Sequence, residues 1–346
     1  MDKIILADYI GHSDNSGKPM GHPVKVINET CKLISPMFQV RVAAPKSHVS
    51  MIQLTNEMIK LEYNVCVFST QKISNLMKKW KNLKKIFKNQ GEDIVLFINV
   101  DFSLFLYLYL KDITKNRIWI NLCYNPLKNV YGWKKTVIET VLNKVERVVL
   151  TNRNFQREIP GNTMFMPDYY YNEALYDKYQ DVPKRNQMAC LGTMGKEKKL
   201  EDLISIMKDS LVPLVVFGNF KHDCERFENL QRLSGENISL ENKFVNDEEY
   251  YDLISKSRYV VLPYDMALYD ERTSGILLEA VFLHSIPVAP LQLLRYNGID
   301  GIGYQNIDEI PMMLGDLDHE QKIINNNNKL IKSIFSAESI QNSLVK

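Results

Sequence analysis

The sequence predicts an α/β protein built from two tandem, Rossmann-like, doubly wound parallel-sheet domains facing a cleft. Three observations carry that expectation. The chain has 346 residues, too many for one comfortable core, and two domains of ordinary size are the natural division. Short apolar runs alternate with helical patterns through both halves, which is the signature of parallel βαβ units. Between the halves lies a polar, tyrosine-rich stretch, PDYYYNEALYDKYQDVPKRNQ at 167–187, whose prolines and charges suit a linker.

In the first half, strands are expected at Lys3–Tyr9, Gln39–Ala44, Asn64–Phe68, Asp93–Asn99, Arg117–Leu122 and Arg147–Thr151. Helices are expected at about 23–35, 50–62, 72–89, 102–113 and 132–145. The second half repeats the alternation, with strands at Gln187–Leu191, Leu214–Phe217, Ile238–Leu240, Tyr259–Leu262 and Ile286–Ala289. Its helices fall at about 199–210, 221–234, 247–257, 274–284 and 307–315, and the tail reads as one more amphipathic helix. The NNNN run inside that tail is read as a low-complexity blip without functional meaning.

Composition, at 45% hydrophobic and 24% charged, is that of a soluble globular protein. Cys31, Cys66, Cys123, Cys190 and Cys224 stand far apart with no CxxC, which argues against a disulfide framework or a structural zinc site and for a reducing cytoplasm. The opening residues predict a first strand rather than a secretory leader. The most apolar run, FSLFLYLYLK at 102–111, falls far short of the ~20 residues that span a bilayer. Net charge is +2 but uneven. Residues 1–168 hold 24 Lys+Arg against 14 Asp+Glu (+10), and residues 169–346 hold 19 against 27 (−8), which suggests two units serving different partners.

The stretch ERTSGILLEAVFLHSIPVAP at 271–290 carries the densest chemistry. Thr273 and Ser274 precede an apolar periodic run, a helix N-cap signal. A helix N-terminus offers unpaired N–H groups and partial positive charge, suited to a diphosphate or a sugar oxygen, and Gly275 lets a ligand approach the backbone. Glu279, one turn in, can accept hydrogen bonds from vicinal hydroxyls such as those of a ribose, and Arg272 adds a phosphate fork. The alternative is a plain capped helix with Glu279 on a solvated face, although Leu277, Leu278, Val281 and Phe282 surround it.

This stretch resembles the E-x7-E region of the retaining, family-4-like glycosyltransferases of the GT-B fold. VVLPYD at 260–265, MACLGTMGKEKKLEDLI at 188–204, DEEYYDLISKSRYVVLP and VERVVLTNRNFQREI at 145–159 resemble other segments of the family, in the family's order. The resemblance implies an acceptor-side domain at 1–168, a donor-binding domain at 169–318 and a C-terminal helix at 319–346 crossing back onto the first domain. It implies transfer of a sugar from a nucleotide-diphosphate donor with retained configuration, no cofactor and no obligatory metal. Glu279 matches the residue that binds the donor ribose, and Glu271 the one that contacts donor-sugar hydroxyls. Ser274 and Gly275 match the loop that meets sugar and diphosphate, and Lys198 the lysine that steadies the departing diphosphate. Gly192 and Tyr264 fall in the matching strand ends. Thr193 stands where the family often has Arg, so Lys196 or Arg272 would supply that charge. Gly275 sits one residue late relative to Glu271. Asn99 and Asp101 stand where many members place a His.

The loop GHSDNSGKPMGH at 11–22, with Gly11, His12, Gly21 and His22, is either a polar collar over the cleft or an ordinary surface loop; its glycine spacing is not a dinucleotide fingerprint. The segment 71–90 carries seven lysines, with Ile73, Leu76, Met77, Trp80, Leu83 and Phe87 at helical spacing. It either packs on the sheet with solvated lysines or touches an anionic membrane when the acceptor is lipid-linked. GDLD at 315–318 spells a metal-binding DxD in the wrong context and reads as a helix end and turn. No pattern suggests nucleic acid.

The sequence therefore predicts a cytoplasmic glycosyltransferase, peripheral to the inner membrane face at most, acting on a glycan, lipid-linked or protein acceptor. Lys198, Glu271 and Arg272 are its candidate catalytic residues. A GT-B-type nucleotide-sugar epimerase or phosphorylase, and a catalytically degenerate partner subunit, are the alternatives.

Overall fold

The computed structural model describes residues 2–13, 17, 23–52, 57–66, 71–111, 116–152, 158–220, 223–243, 246–269 and 273–344. The chain forms two compact units, one of residues 1–170 together with 337–346, the other of residues 171–336.

The strands, numbered along the chain, are β1 (Lys3–Ala7), β2 (His12–Ser13), β3 (Gln39–Pro45), β4 (Met58–Leu61), β5 (Val65–Cys66), β6 (Ile94–Phe97), β7 (Ile118–Leu122), β8 (Arg147–Leu150) and β9 (Thr163–Phe165) in the first unit. The second unit holds β10 (Arg185–Thr193), β11 (Leu214–Asn219), β12 (Ile238–Asn242), β13 (Ser257–Val261), β14 (Ile286–Pro290) and β15 (Ile302–Tyr304). The expected pair of parallel sheets is present. The first runs β4-β3-β1-β6-β7-β8-β9 and the second β12-β11-β10-β13-β14-β15, with every pairing parallel. Their central strands are continuous apolar runs because helices cover both faces, as in β6 (IVLF), where all four residues are buried.

Two expectations for the first half are corrected. The described residues of 50–62 do not form the expected helix: a short helix spans Lys46–Val49, and Met58–Leu61 is an edge strand paired with Ala43, Ala44 and their neighbours. The strand expected at Asn64–Phe68 does not join the main sheet over its described residues; Val65–Cys66 pairs with His12–Ser13 in a separate two-stranded ribbon, and Val67 and Phe68 lie outside the described residues. The run SMIQLTNEMIKLEY fits a helical period by sequence alone, and pairing with β3 overrides it. Strands β9 and β15, three residues each, carried too little pattern to be seen.

The basic segment forms one helix, Lys72–Gln90. Leu83 and Ile86 are buried, and buried Asn82 donates to the carbonyls of Tyr9 (3.0 Å) and Tyr63 (2.8 Å), so the C-terminal half packs firmly. Its first turns differ from the expected apolar face, since Ile73 is 81% exposed and Met77 51%.

The tail is two helices, not one. Leu317–Leu330 stays with the second unit, where the buried Glu320 accepts from Arg258 Nε (2.8 Å) and Tyr259 Oη (2.5 Å). After a wider turn at Ile331–Phe335, Ala337–Leu344 packs into the first unit: Ile340 and Leu344 are buried in its core and Gln341 donates to the Leu33 carbonyl (2.7 Å). GDLD begins this tail, with Asp316 capping the Leu317–Leu330 helix by accepting from His319 N (3.1 Å). Within NNNN, the buried Asn327 has a structural role. It accepts from Asp300 N (3.1 Å) and donates to the Asp300 carbonyl (2.9 Å).

Candidate functional site

Counted along its own sheet, the second unit has strand order 3-2-1-4-5-6. Order reverses between β10 and β13, and in open parallel sheets ligands bind beyond the carboxyl ends of the strands at that point. β10 ends in Gly192-Thr193, in register with Gly218-Asn219 of β11. Both glycines are obligatory. Gly192 adopts φ +94°, and a Cβ on Gly218 would lie 1.9 Å from the Gly192 carbonyl oxygen.

The turn after β10 brings Lys198 back under the strand end, bridged to Tyr264 just beyond β13. Lys198 is 3% exposed. Its ammonium donates to the Leu191 carbonyl, lies 3.8 Å from Met194 Sδ and 5.8 Å from the Tyr264 ring centre, and among the described residues meets no carboxylate at ion-pair distance. Burial pulls its pKa below the ordinary lysine value, against the opposing effect of Cys190 and Glu197. A Cβ on Gly192 would stand 3.6 Å from this ammonium and 2.9 Å from Ile276 Cδ1, so the glycine keeps the ground beside the cation clear.

Ile276 belongs to the Gly275–Phe282 helix. Ser274 caps it, accepting from Leu277 N (3.4 Å), and the helix is apolar nearly all round, hence buried. The Tyr264 ring stacks on Tyr269 at 3.8 Å; burial first, then Tyr269, pushes its hydroxyl pKa well up, while Ser274 bonds to it. Glu279, 3% exposed, accepts from Tyr250 Oη (2.6 Å) and lies 3.5 Å from Tyr251 Oη. The structure thus gathers Gly192, Lys198, Tyr264, Ser274 and Gly275 at one crevice, with Glu279 a turn behind. Thr193 and Lys196 lie exposed on the turn, and Thr273 accepts from Tyr269 Oη through its carbonyl (3.3 Å). Glu271 and Arg272 lie outside the described residues.

Sequence reasoning missed Arg226. Its guanidinium donates to the carbonyls of Met194 (3.2 Å), Gly195 (2.9 Å) and Lys198 (2.9 Å) and forms a two-point pair with Glu201 (2.7 and 2.8 Å). That fork holds the turn carrying Lys198. No local spacing signals it, because its targets are backbone atoms brought near by the fold.

The first unit has the same order around its first strand, reversing between β1 and β6. Asp8, just past β1, is fully buried. Its Oδ1 accepts from Ile10 N (3.2 Å), Gly11 N (3.0 Å) and Asn99 Nδ2 (3.4 Å). Gly11, at φ +58°, presses on Pro45, where a Cβ would come within 2.1 Å of the ring. His12 is partly exposed; burial lowers its pKa, with Asp8 opposing. Asp101 serves as a helix cap, accepting from Ser103 N (2.9 Å) and Tyr9 Oη (2.7 Å) and pairing with Lys79. Burial raises its pKa, but the Lys79, Ser103 and Tyr9 contacts outweigh this and hold it low. Gly21 and His22 lie outside the described residues.

All five cysteines are free. Among the described residues, no group of three His, Cys, Asp or Glu side chains is placed to hold a metal ion, and no helix is long and apolar enough to cross a membrane.

No family model matches the sequence, and no curated protein does. Solved structures do match, over the full chain. HepE of Anabaena, in complex with UDP-glucose, superposes with a TM-score of 0.65 at 11% identity, covering 99% of this chain and 98% of that one. The trehalose 6-phosphate synthase of Burkholderia multivorans gives 0.71 at 9% identity over 100% and 98%. AviGT4, a glycosyltransferase involved in avilamycin A biosynthesis, gives 0.62 at 13% over 100% and 96%. With two parallel sheets and these superpositions over the full chain, the chain has the GT-B fold.

Proposed function

We propose that this protein is a glycosyltransferase that moves a sugar from a nucleotide-diphosphate sugar to an acceptor, with retention and without an obligatory metal. The observation that carries the reading is Lys198: a buried ammonium without a described carboxylate partner, at the strand-order reversal of the second unit, beside a glycine that leaves room and a helix capped by Ser274. A diphosphate supplies the missing negative charge, and charge developing on it as the sugar departs is stabilised by that ammonium and by the helix N-terminus. Glu279 receives the ribose hydroxyls, with Tyr250 orienting its carboxylate. Glu271, Arg272 and Lys196 are assigned to the donor sugar and phosphates by family resemblance. The UDP-glucose held by HepE supports a uridine nucleotide sugar as the first donor to try. The first unit takes the acceptor, working in the cytoplasm or at the inner membrane face through residues 71–90.

A thermal-shift screen of UDP-, GDP-, ADP- and TDP-sugars tests the reading. A donor at 100 times its dissociation constant adds about 2.7 kcal/mol of stability. No shift with any nucleotide or nucleotide sugar sinks it. The tie between Glu279 and Tyr250 favours one second reading, a partner subunit whose donor pocket has closed on itself; that reading expects no shift from a folded chain.

A further inference from the structure

The helix Lys72–Gln90 buries Asn82, Leu83, Ile86 and Gln90. Its opposite face is one exposed stripe at helical spacing: Ile73, Met77, Lys81, Lys84 and Lys88. The stripe is apolar in the first two turns and basic beyond them. The helix contains no acidic residue. Helices that only face water interleave both signs and pair them along the surface. Here Lys79 pairs with Asp101 and Lys85 with Glu62 (3.4 Å), while Lys84 and Lys88 form no ion pair among the described residues.

A second exposed patch lies close by. Tyr131 is 79% exposed and Trp133 60%, and exposed Lys134 and Lys135 follow. Phe102 ties the two patches together. Its ring meets Trp133 edge-on at 5.5 Å, and Lys134 lies 5.6 Å from its centre. Its neighbours hold the basic helix: Asp101 pairs with Lys79, and the Ser103 carbonyl accepts from Trp80 Nε1 (3.3 Å). Phe102 opens the helix Phe102–Tyr109 after β6, and Asp101 accepts from Tyr9, just past β1. Both patches therefore stand at the carboxyl ends of the strands, where the first sheet reverses its order.

This combination fits one partner. An anionic bilayer meets lysines with its phosphates and takes Ile, Met and Trp side chains at headgroup level. Nucleic acid would answer the lysines but offers no apolar layer for Ile73 and Met77. We propose that the stripe from Ile73 to Lys88, with the corner at Trp133, seats the first unit on an anionic phospholipid surface. The structure names the side chains that make the contact, and Trp133 lies outside the segment 71–90 singled out from sequence. The purpose of the seat, bringing the acceptor crevice to the membrane, rests on the glycosyl-transfer reading; the lipid contact is tested apart from it.

The test sediments the full chain with vesicles of phosphatidylcholine alone and of phosphatidylcholine mixed with phosphatidylglycerol, at low and high salt. Wild type should bind the mixed vesicles on the order of tenfold more tightly, and high salt should remove most of that preference. Lys81→Glu, Lys84→Glu and Lys88→Glu together should abolish the preference. Ile73→Ser with Met77→Ser should weaken binding by about threefold or more while its salt dependence stays. Brominated phosphatidylcholine in the mixed vesicles should quench tryptophan fluorescence of the wild type, and Trp133→Phe should lose that quenching. All six positions are exposed, and thermal melts identify any variant that fails to fold, leaving the others to carry the test. Equal binding to both vesicles, no binding, or a preference unchanged by the charge reversal overturns the proposal. Quenching unchanged in Trp133→Phe puts the lipid contact elsewhere and overturns it too. So does tighter binding to a single-stranded RNA that the same charge reversal removes. A chain that binds the mixed vesicles through these residues but binds no nucleotide sugar keeps its lipid surface and loses the glycosyl-transfer reading.

Discussion

At the end of β10 the chain leaves an ammonium, Lys198, inside the protein; at the end of β1 it leaves a carboxylate, Asp8. The two sheets share one strand order around their first strand, so topology opens a crevice at the same place in each. What fills the crevice differs. The second unit offers a cation, a clearing at Gly192 and a capped helix, which suits phosphate. The first offers the buried Asp8 carboxylate and two histidines that burial keeps below their ordinary pKa, which does not suit an anion. The position of a site is a property of the fold, whereas its ligand class is a property of a few side chains.

Four substitutions test that contrast. Lys198→Ala, with Lys198→Met as a control of similar volume, should weaken UDP binding by on the order of 3 kcal/mol by calorimetry, the scale of a charged hydrogen-bonded contact. Unchanged UDP affinity in both variants would remove Lys198 from the donor site. Glu279→Ala should cost roughly 2 kcal/mol of nucleotide affinity, and unchanged affinity there would remove Glu279 from the donor site. Arg226→Ala frees the turn from three carbonyl contacts. Urea unfolding should show a loss of about 1–2 kcal/mol, with UDP affinity falling alongside. Stability lost with affinity intact would show that Lys198 holds its place unaided.

The smallest effect concerns pH. Asp168, which follows β9, has its pKa pushed up to about 6 by burial, even though Asn121 bonds to it and opposes the shift. An unfolded aspartate titrates near about 4. The folded state therefore holds this proton more tightly, and its contribution to stability is full below about pH 4 and lost as pH rises through 6. Asp168→Asn should flatten the stability profile over that window and stabilise the chain at pH 7 by roughly 1 kcal/mol, allowing for partial exposure. An unaltered profile in the variant would show that Asp168 ionises as an ordinary surface carboxylate.

Sequence patterns located the long elements well where periodicity was strong. The helix 72–89 was expected and Lys72–Gln90 found; 274–284 was expected and Gly275–Phe282 found. They failed at Met58–Leu61, four residues whose alternation cannot compete with a helical reading of the same apolar positions. In the second unit, the gathering of Gly192, Lys198, Tyr264, Ser274 and Gly275 at one strand end was legible because glycine after a strand, a hydroxyl before an apolar helix and the ordered family segments are all local signals. Arg226 and Tyr250 were not. Their partners are distant backbone atoms and a carboxylate 29 residues away, and neither leaves a spacing in the chain.

By itself, the sequence determined the α/β class, the two parallel-sheet halves and the capped helix at Ser274. Those follow from hydrophobic period, turn residues and capping chemistry, which act over a few residues. Only the tertiary structure decided which polar groups lose their water without gaining a partner. It buried Lys198 without a described carboxylate partner and Asp8 with one oxygen unmet, and it sent the last helix into the first unit's core. Burial is set by what the rest of the chain packs against, and the cost of an unsatisfied buried group arises only after that packing is complete.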